Sequence, residues 1–581
     1  MYTRLENVRI VIALLKEYNI KHLVLSAGQS NYPFVHSVEN DPFFTCYSVV
    51  DERSAAFFAM GIAQQLNEPV AISCTASTAC CNYLSAITEA YYQKIPVLVL
   101  TSDRDIRRRG QLETLLIDQD HMYEGVCKKE IVLPDINSDE DRRYCERIVN
   151  EALLELDHHG KGPVHINMPS YGKENAVDVE KLPCLKRMYR HNTDKMESWL
   201  NKKEKLCQTS KVMLLCGQHE TFSEEELKYI DLFHEQYNCV VVAEHMGNLR
   251  RPYVINFNPI VTNTTGKALQ ELAPDIIISF GTHIQDGWER IKEMHPAHWN
   301  INQDGAVIDA YSGLTDIFEC TLLEFLKFFV ECSEDSAHKN DGEFENRWRE
   351  AGNGIKCPDV PLSHVFAVEN MMKKLPERGI LHLSIQNSIR LAQYFTIPDG
   401  IKCYANLGGL GIDGSMSTFL GQAVATSDPA YLIIGDLSFF YDMNCLKIKH
   451  ITSNTHIMLL NNGGGAEFYQ NNGINDTLDL HTAAKHHSHA KNWAESCGFE
   501  YIEIKNKEEF ENNINCFMGQ HERPILMEVF TDLEIDMNSL KRLYEENLVA
   551  DPENPIKHCA RKVLGPKGVE MAKKVVGVLR R

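Results

Sequence analysis

Tyr431-Leu432-Ile433-Ile434-Gly435-Asp436-Leu437-Ser438 and Ile457-Met458-Leu459-Leu460-Asn461-Asn462-Gly463-Gly464-Gly465 decide the fold of this chain. In each stretch an apolar run ends abruptly in Gly, Asp or Asn. A short apolar run closed by turn formers is the pattern of a strand buried on both faces, as in a parallel sheet. The polar residues then fall at the carboxyl ends of the strands, where open α/β sheets bind ligands. Asp436, an Asn carboxamide and a carbonyl from the glycine-rich turn are hard oxygen donors. They suit Mg²⁺ or Ca²⁺, which would in turn hold a diphosphate, and glycines let the backbone approach phosphate closely.

Outward from these strands the same alternation recurs. Leu381 to Ser384, Lys402 to Ala405 and Ile525 to Val529 are strand candidates of the same block, which begins near Leu362. At the other end, Asn7 to Tyr18, Ala55 to Gln65 and Ala79 to Gln93 read as helices. His22 to Leu25, Val70 to Cys74, Val97 to Thr101 and Val164 to Asn167 read as strands. Between the two blocks, Val212 to Cys216, Cys239 to Ala243 and Asp275 to Phe280 predict a smaller α/β unit, followed by a charged helix or linker, Ser333 to Asn353. Strands alternating with helices imply βαβ units and doubly wound parallel sheets.

Composition narrows the class. The chain has 581 residues, 44% apolar and 24% charged, and its 59 basic and 80 acidic side chains give a formal charge of −21. Such acidity excludes a general nucleic-acid binder, which needs clustered Lys and Arg. No apolar run approaches the ~20 residues of a membrane span, and Ile10 to Leu15 is too short for a secretory leader. The 18 cysteines form no C-x-x-C pair, so free thiols in a reducing cytoplasm are expected. The tail from Asn554 is basic (Lys557, Arg561, Lys562, Lys567, Lys573, Lys574, Arg580, Arg581). It reads as a helix docking on its own acidic body, with a partner or membrane-surface contact as the alternative. His486-His487-Ser488-His489 reads as a loop or helix start rather than a metal site.

A Gly-Asp pair followed by Asn-Asn at the spacing of Gly435-Asp436 and Asn461-Asn462 resembles the binding motif of thiamine diphosphate enzymes, with Leu437 in place of the motif's usual third glycine. Gly-Asp-Leu-Ser with Asp442 and Asn444 downstream resembles one branch in particular, the menaquinone-pathway SEPHCHC synthases. Further segments match that branch in order: Val50 to Ala56, Cys74 to Ala79, Leu100 to Arg104, Gly162 to Pro169 and Asn406 to Gly414. The resemblance covers roughly residues 1 to 550. It implies α/β architecture in three domains: pyrimidine-binding (1–185), central (186–355) and diphosphate-binding (356–550), with the basic extension 551–581. It implies thiamine diphosphate with Mg²⁺ (or Ca²⁺ or Mn²⁺), and a homodimer or dimer of dimers holding the cofactor between subunits. Asp436, Asn462 and the Gly464 carbonyl would ligate the metal, and Gly435, Leu437, Ser438 and Phe468 would line the cofactor. Ile412 would prop its bend. Glu52 would hydrogen-bond the aminopyrimidine and activate the cofactor, a task for a carboxyl in a mostly apolar cleft.

The substrate side departs from that branch. Where the branch has an arginine in a Pro-Gly-Ser-Arg-Ser turn, this chain has Ser30, after Gln29; where it has Asn-Arg-Gly, this chain has Leu407. An Ile of the branch is Glu467, and its substrate-contacting Gln falls on Glu113 or Leu115. Arg104 and, after Gln386, Arg390 are kept, and Gln119 is a further candidate; Arg107-Arg108-Arg109 offers a compensating basic trio or a solvated loop. Bidentate Arg–carboxylate contacts are the specific ones for diacids. Their loss predicts a 2-oxo acid decarboxylase or carboligase that uses a small-molecule acceptor other than isochorismate. The alternatives are a true SEPHCHC synthase, taking 2-oxoglutarate and isochorismate, and an inactive cofactor-binding scaffold.

Overall fold

Runs of β-branched Val and Ile, with Leu, fit pleated surfaces, and in the computed structural model they form parallel sheets. The structure describes residues 1–66, 68–173, 176–331, 340–469 and 476–549. The basic extension and part of the charged linker lie outside the described residues; the rest of the linker is a helix, Glu343–Asn353.

The chain separates into two compact units: Met1–Asn192 with Asp304–Glu319, and Thr193–Gln303 with the residues from Cys320 onward. In the first unit the strands are β1 (His22–Leu25), β2 (Thr45–Ser48), β3 (Val70–Cys74), β4 (Val97–Asp103), β5 (Lys129–Val132) and β6 (Val164–Pro169). They form one parallel sheet in the order β2-β1-β3-β4-β6-β5. Also in this unit, β7 (Tyr189–Asn192) pairs in parallel with a later strand, β12 (Leu314–Glu319).

The second unit carries two parallel arrays. One orders β8 (Val212–Cys216), β9 (Cys239–Ala243), β10 (Ile276–Phe280) and β11 (Ala297–Ile301) as β9-β8-β10-β11. The other comprises β13 (Arg378–Leu383), β14 (Gly400–Tyr404), β15 (Ala430–Gly435), β16 (Thr455–Asn461), β17 (Glu500–Ile504) and β18 (Ile525–Phe530). Its order, β14-β13-β15-β16-β18-β17, repeats that of the first sheet. Strand direction of growth reverses between β1 and β3 and again between β13 and β15, which makes both sites topological switch points. The three α/β arrays are the architecture expected from the sequence.

Helices cover the sheets because one face of each is apolar. Helix Glu6–Glu17 buries Val8, Ile10, Val11, Leu14 and Leu15, each worth roughly 1.5–3 kcal/mol on removal from water. It packs on helix Asp139–Leu154. That helix starts at Ser138, whose side chain accepts from the Asp141 N–H, and its first turn holds Asp139, Glu140 and Asp141; a cap and acids there satisfy the exposed N–H groups and the dipole. Every described cysteine is a free thiol. No described helix is long and apolar enough to cross a membrane.

Candidate functional site

β15 delivers Gly435 and Asp436, and β16 delivers Asn461 and Asn462. Their parallel register sets Gly435 beside Leu460, so the two polar ends meet. The Asp436 carboxylate is 3% exposed. Its Oδ2 accepts from the backbone N–H of Asn462 (3.1 Å), Gly463 (2.8 Å) and Gly464 (3.1 Å), and its Oδ1 from the Leu437 N–H (2.7 Å). Gly463 has φ +79° and Gly464 φ +157°; a Cβ on Gly464 would stand 2.9 Å from the Ala483 carbonyl. Only glycine fits this turn. Ser438 donates to the Ile412 carbonyl at 2.8 Å, tying the Ile412 loop to the start of helix Asp436–Asp442. Ile412 (38% exposed) and Phe468 (40%) present apolar surface beside the motif.

These residues fit a divalent ion carrying a diphosphate. Asp436, after β15, and the Asn462 amide and Gly464 carbonyl, on the turn after β16, are oxygen donors that meet at the two strand ends. Nothing stands within 4 Å of a Cβ built on Gly435, Gly408 or Gly409, so the backbone there has room for a close-lying group. His486 Nε2 is buried, lies 3.4 Å from Asp436 Oδ2 and has no hydrogen-bond partner. An unpaired buried polar atom beside a carboxylate marks a place where another group completes the bonding.

A supporting layer was not legible beforehand. Asn462 Nδ2 donates to Asp536 Oδ2 (2.8 Å), which also takes the Thr531 hydroxyl (2.6 Å), while Asp536 Oδ1 accepts the His364 N–H (2.7 Å). Asn461 Nδ2 donates to Glu528, buried and further bonded by Tyr501 and the Ala490 N–H. These partners orient the two asparagines. In the sequence Glu528 stands inside a strand run and Asp536 inside the helix that follows it, Leu533–Asn547, so neither stands out as a site residue.

The substrate-side candidates divide. In the second unit, Arg390 Nε donates to Asp286 Oδ2 at 2.7 Å. Gln386 holds φ +60° just before helix Asn387–Ala392, a strained position for a side-chain-bearing residue. Burial pushes the Glu467 carboxyl up, against the pull of Arg390 and His364, and Asp436 pushes it further. Leu407 is buried in the apolar core.

In the first unit, Gln29, Ser30 and Arg104 line a cavity of about 750 Å³ with Arg107, Arg108 and Lys173. Arg104 reaches Glu113 at 3.4 Å and Arg108 reaches the same carboxylate at 3.0 Å. Arg109 is turned inward onto Asp103, Asp118 and Asp120. Gln119 is fully buried, and its amide is spent on the Ser77 N–H, the Ser102 carbonyl and Asn167. Glu52 begins helix Glu52–Leu66, three residues earlier than the sequence pattern placed the helix, with Asn82 Nδ2 at 3.4 Å.

Residues 6–124 match the family model of the thiamine pyrophosphate enzyme N-terminal TPP binding domain. Among curated relatives, a 2-succinyl-5-enolpyruvyl-6-hydroxy-3-cyclohexene-1-carboxylate synthase of Bacteroides fragilis is 36% identical, covering 94% of this chain and 100% of its own length. The same-named protein of Phocaeicola vulgatus is 35% identical over 94% of this chain and 99% of its own. That of Christiangramia forsetii is 30% identical over 92% and 97%.

Proposed function

The chain belongs to the family of thiamine diphosphate-dependent 2-succinyl-5-enolpyruvyl-6-hydroxy-3-cyclohexene-1-carboxylate synthases, and within it we propose that this chain removes CO₂ from a 2-oxo acid and passes the remainder to an acceptor other than isochorismate. Thiamine diphosphate, when bound, supplies the electron sink for that decarboxylation. Asp436, Asn462 and the Gly464 carbonyl hold the divalent ion. Gly435, Leu437, Ser438 and Phe468 line the cofactor, and Ile412 props it. Glu52 would hold a proton at a ring nitrogen of the bound cofactor and so activate it.

The observation that carries the substrate reading is the Arg390–Asp286 ion pair at 2.7 Å. An arginine already neutralised by a carboxylate, with Glu467 acting on it electrostatically, is a poor receptor for a diacid, since a second carboxylate must displace the first. Ser30 and Leu407 offer no guanidinium in compensation. The test is CO₂ release with thiamine diphosphate and Mg²⁺ across a panel of 2-oxo acids, each with and without isochorismate. Release from a monoacid, unchanged by isochorismate, supports the proposal. Turnover confined to 2-oxoglutarate with isochorismate refutes it. That outcome is the second reading, the synthase reaction of the relatives, and their collinear likeness over nearly the whole chain favours it.

The working form is a homo-oligomer, with Glu52 of one subunit acting on the cofactor held by Asp436 of another. Support comes from exposed apolar side chains in both places. Phe57, Phe58 and Leu66 lie on the Glu52 helix, and Ile412, Tyr441 and Phe468 lie near the Asp436 motif. Clustered exposed apolar surface marks an interface. The three-domain partition and a reducing cytoplasm complete the reading, the latter consistent with the free thiols.

A further inference from the structure

In the first unit, two adjacent imidazoles converge on one carboxylate. His158 Nε2 lies 3.0 Å from Glu319 Oε2, and His159 Nε2 lies 3.1 Å from Glu319 Oε1. The ligand atoms all fall within 4.8 Å of one another. We propose that His158, His159 and Glu319 form a site for a transition-metal dication of the zinc class.

Three features favour a metal over plain ion pairs. First, His158 Nδ1 also faces Glu155 Oε1 at 3.0 Å. A neutral imidazole has one N–H and cannot donate to Glu155 and Glu319 together. With Nδ1–H given to Glu155, the Nε2 lone pair is left pointing at Glu319, which a metal between them resolves. Second, the His158 and His159 rings lie together, centroids 3.9 Å apart and inclined by 34°, which brings their two Nε2 atoms to the two oxygens of one carboxylate. Third, the surroundings are built for a fixed site. Glu155 is itself held by Arg190 at 3.1 Å, giving the carboxylate–histidine–metal relay that orients metal-bound imidazoles. Lys128 Nζ donates to the carbonyls of His158 and Gly160 and pins the turn. Gly305, at φ +63°, leaves the space open: a Cβ there would stand 2.5 Å from Glu319 Oε2 and 3.0 Å from His158 Nε2.

Imidazole donors select zinc-class ions over Mg²⁺. Tetrahedral zinc with bonds of ~2.0–2.1 Å sets its ligand atoms about 3.3 Å apart, a few tenths of an ångström beyond the two histidine–Glu319 separations. Water supplies the fourth ligand, because His159 is 69% exposed. The ion would clip the end of β12 to the turn after helix Asp139–Leu154, and so fasten the returning segment Asp304–Glu319 to the rest of its unit.

The test uses the full chain saturated with thiamine diphosphate and Mg²⁺, so that the cofactor's metal position is filled. Zn²⁺ is added, excess is removed by dialysis, and bound zinc is counted per chain. Wild type is expected to retain one equivalent more than His159→Ala, an exposed change that spares the core, and more than Glu319→Gln. Glu155→Ala should weaken zinc binding about 10- to 100-fold. Co²⁺ in wild type should give the visible absorption of a four-coordinate ion, absent in His159→Ala, and Zn²⁺ should raise the thermal midpoint of wild type alone. Equal zinc content in wild type, His159→Ala and Glu319→Gln, or a Co²⁺ spectrum unaltered by the substitutions, overturns the proposal.

Discussion

Ser77 shows how much a single backbone angle can hold. It sits at φ +76° and ψ −133°, a sparsely populated region for a residue with a Cβ, at a cost of roughly 1–3 kcal/mol. The Gln119 side chain, accepting the Ser77 N–H at 2.8 Å, compensates. Ser77→Gly is expected to raise stability by about 1 kcal/mol, read as a higher urea midpoint; no gain would mean the Gln119 contact relieves the strain fully. At Glu52 the expected outcome is kinetic. Glu52→Gln should leave cofactor binding within a few-fold of wild type and cut turnover by at least 100-fold, the scale of acid–base catalysis. An unchanged rate removes Glu52 from the chemistry. Asp286→Ala frees the Arg390 guanidinium and should lower KM for diacid substrates relative to monoacids. A ratio that does not move would place Arg390 outside the acid pocket.

At the scale of elements, imidazoles buried within or beside the parallel strands set an acid limit. Burial lowers His382, on β13, and His245, just after β9, to about 4, and His298, on β11, to about 3. The unfolded chain holds these groups near 6.5 and binds more protons below that pH. Stability is therefore full above about 6.5 and falls as pH drops toward 4, by roughly 3 kcal/mol for each histidine. Glu244, raised by burial to about 7, has the opposite sign: it costs stability as pH rises from its unfolded value near 4.5 to 7, and one carboxyl does not offset three imidazoles. The urea midpoint should drop between pH 6.5 and 5, and His382→Asn should flatten that slope; a midpoint constant over this range contradicts the buried neutral state.

The strands that were legible from sequence are the central ones, such as β4 and β16, buried at every position. The edge strands β2 and β5 were not, because Thr45–Ser48 and Lys129–Val132 are partly exposed and carry polar residues. Helix Ala79 to Gln93 is two helices, Thr78–Cys81 and Leu84–Gln93; continuous apolar spacing hides the break at Asn82 and Tyr83.

For the whole molecule, the repeated order of two six-stranded sheets places one switch point near the Glu52 helix and one at Asp436. The meeting of the Gly435-Asp436 and Asn461-Asn462 strand ends was legible because apolar runs, glycines and polar ends lie together in sequence. The Asp536, Glu528 and His486 layer was not, because these residues come from separate later segments that only folding brings to Asn461, Asn462 and Asp436. The arginines were legible as residues, but not their pairing with Asp286 and Glu113, which sequence spacing does not encode.

The central claim is that Asp436, Asn462 and Gly464 hold a divalent ion and, through it, the cofactor's diphosphate. Calorimetric titration of thiamine diphosphate tests it most directly, in wild type and in Asp436→Asn, with Mg²⁺ and with chelator. The account predicts Mg²⁺-dependent binding to wild type and at least 100-fold weaker binding to Asp436→Asn, about 2.7 kcal/mol. Binding that is indifferent to Mg²⁺, or equal in the two proteins, would contradict it.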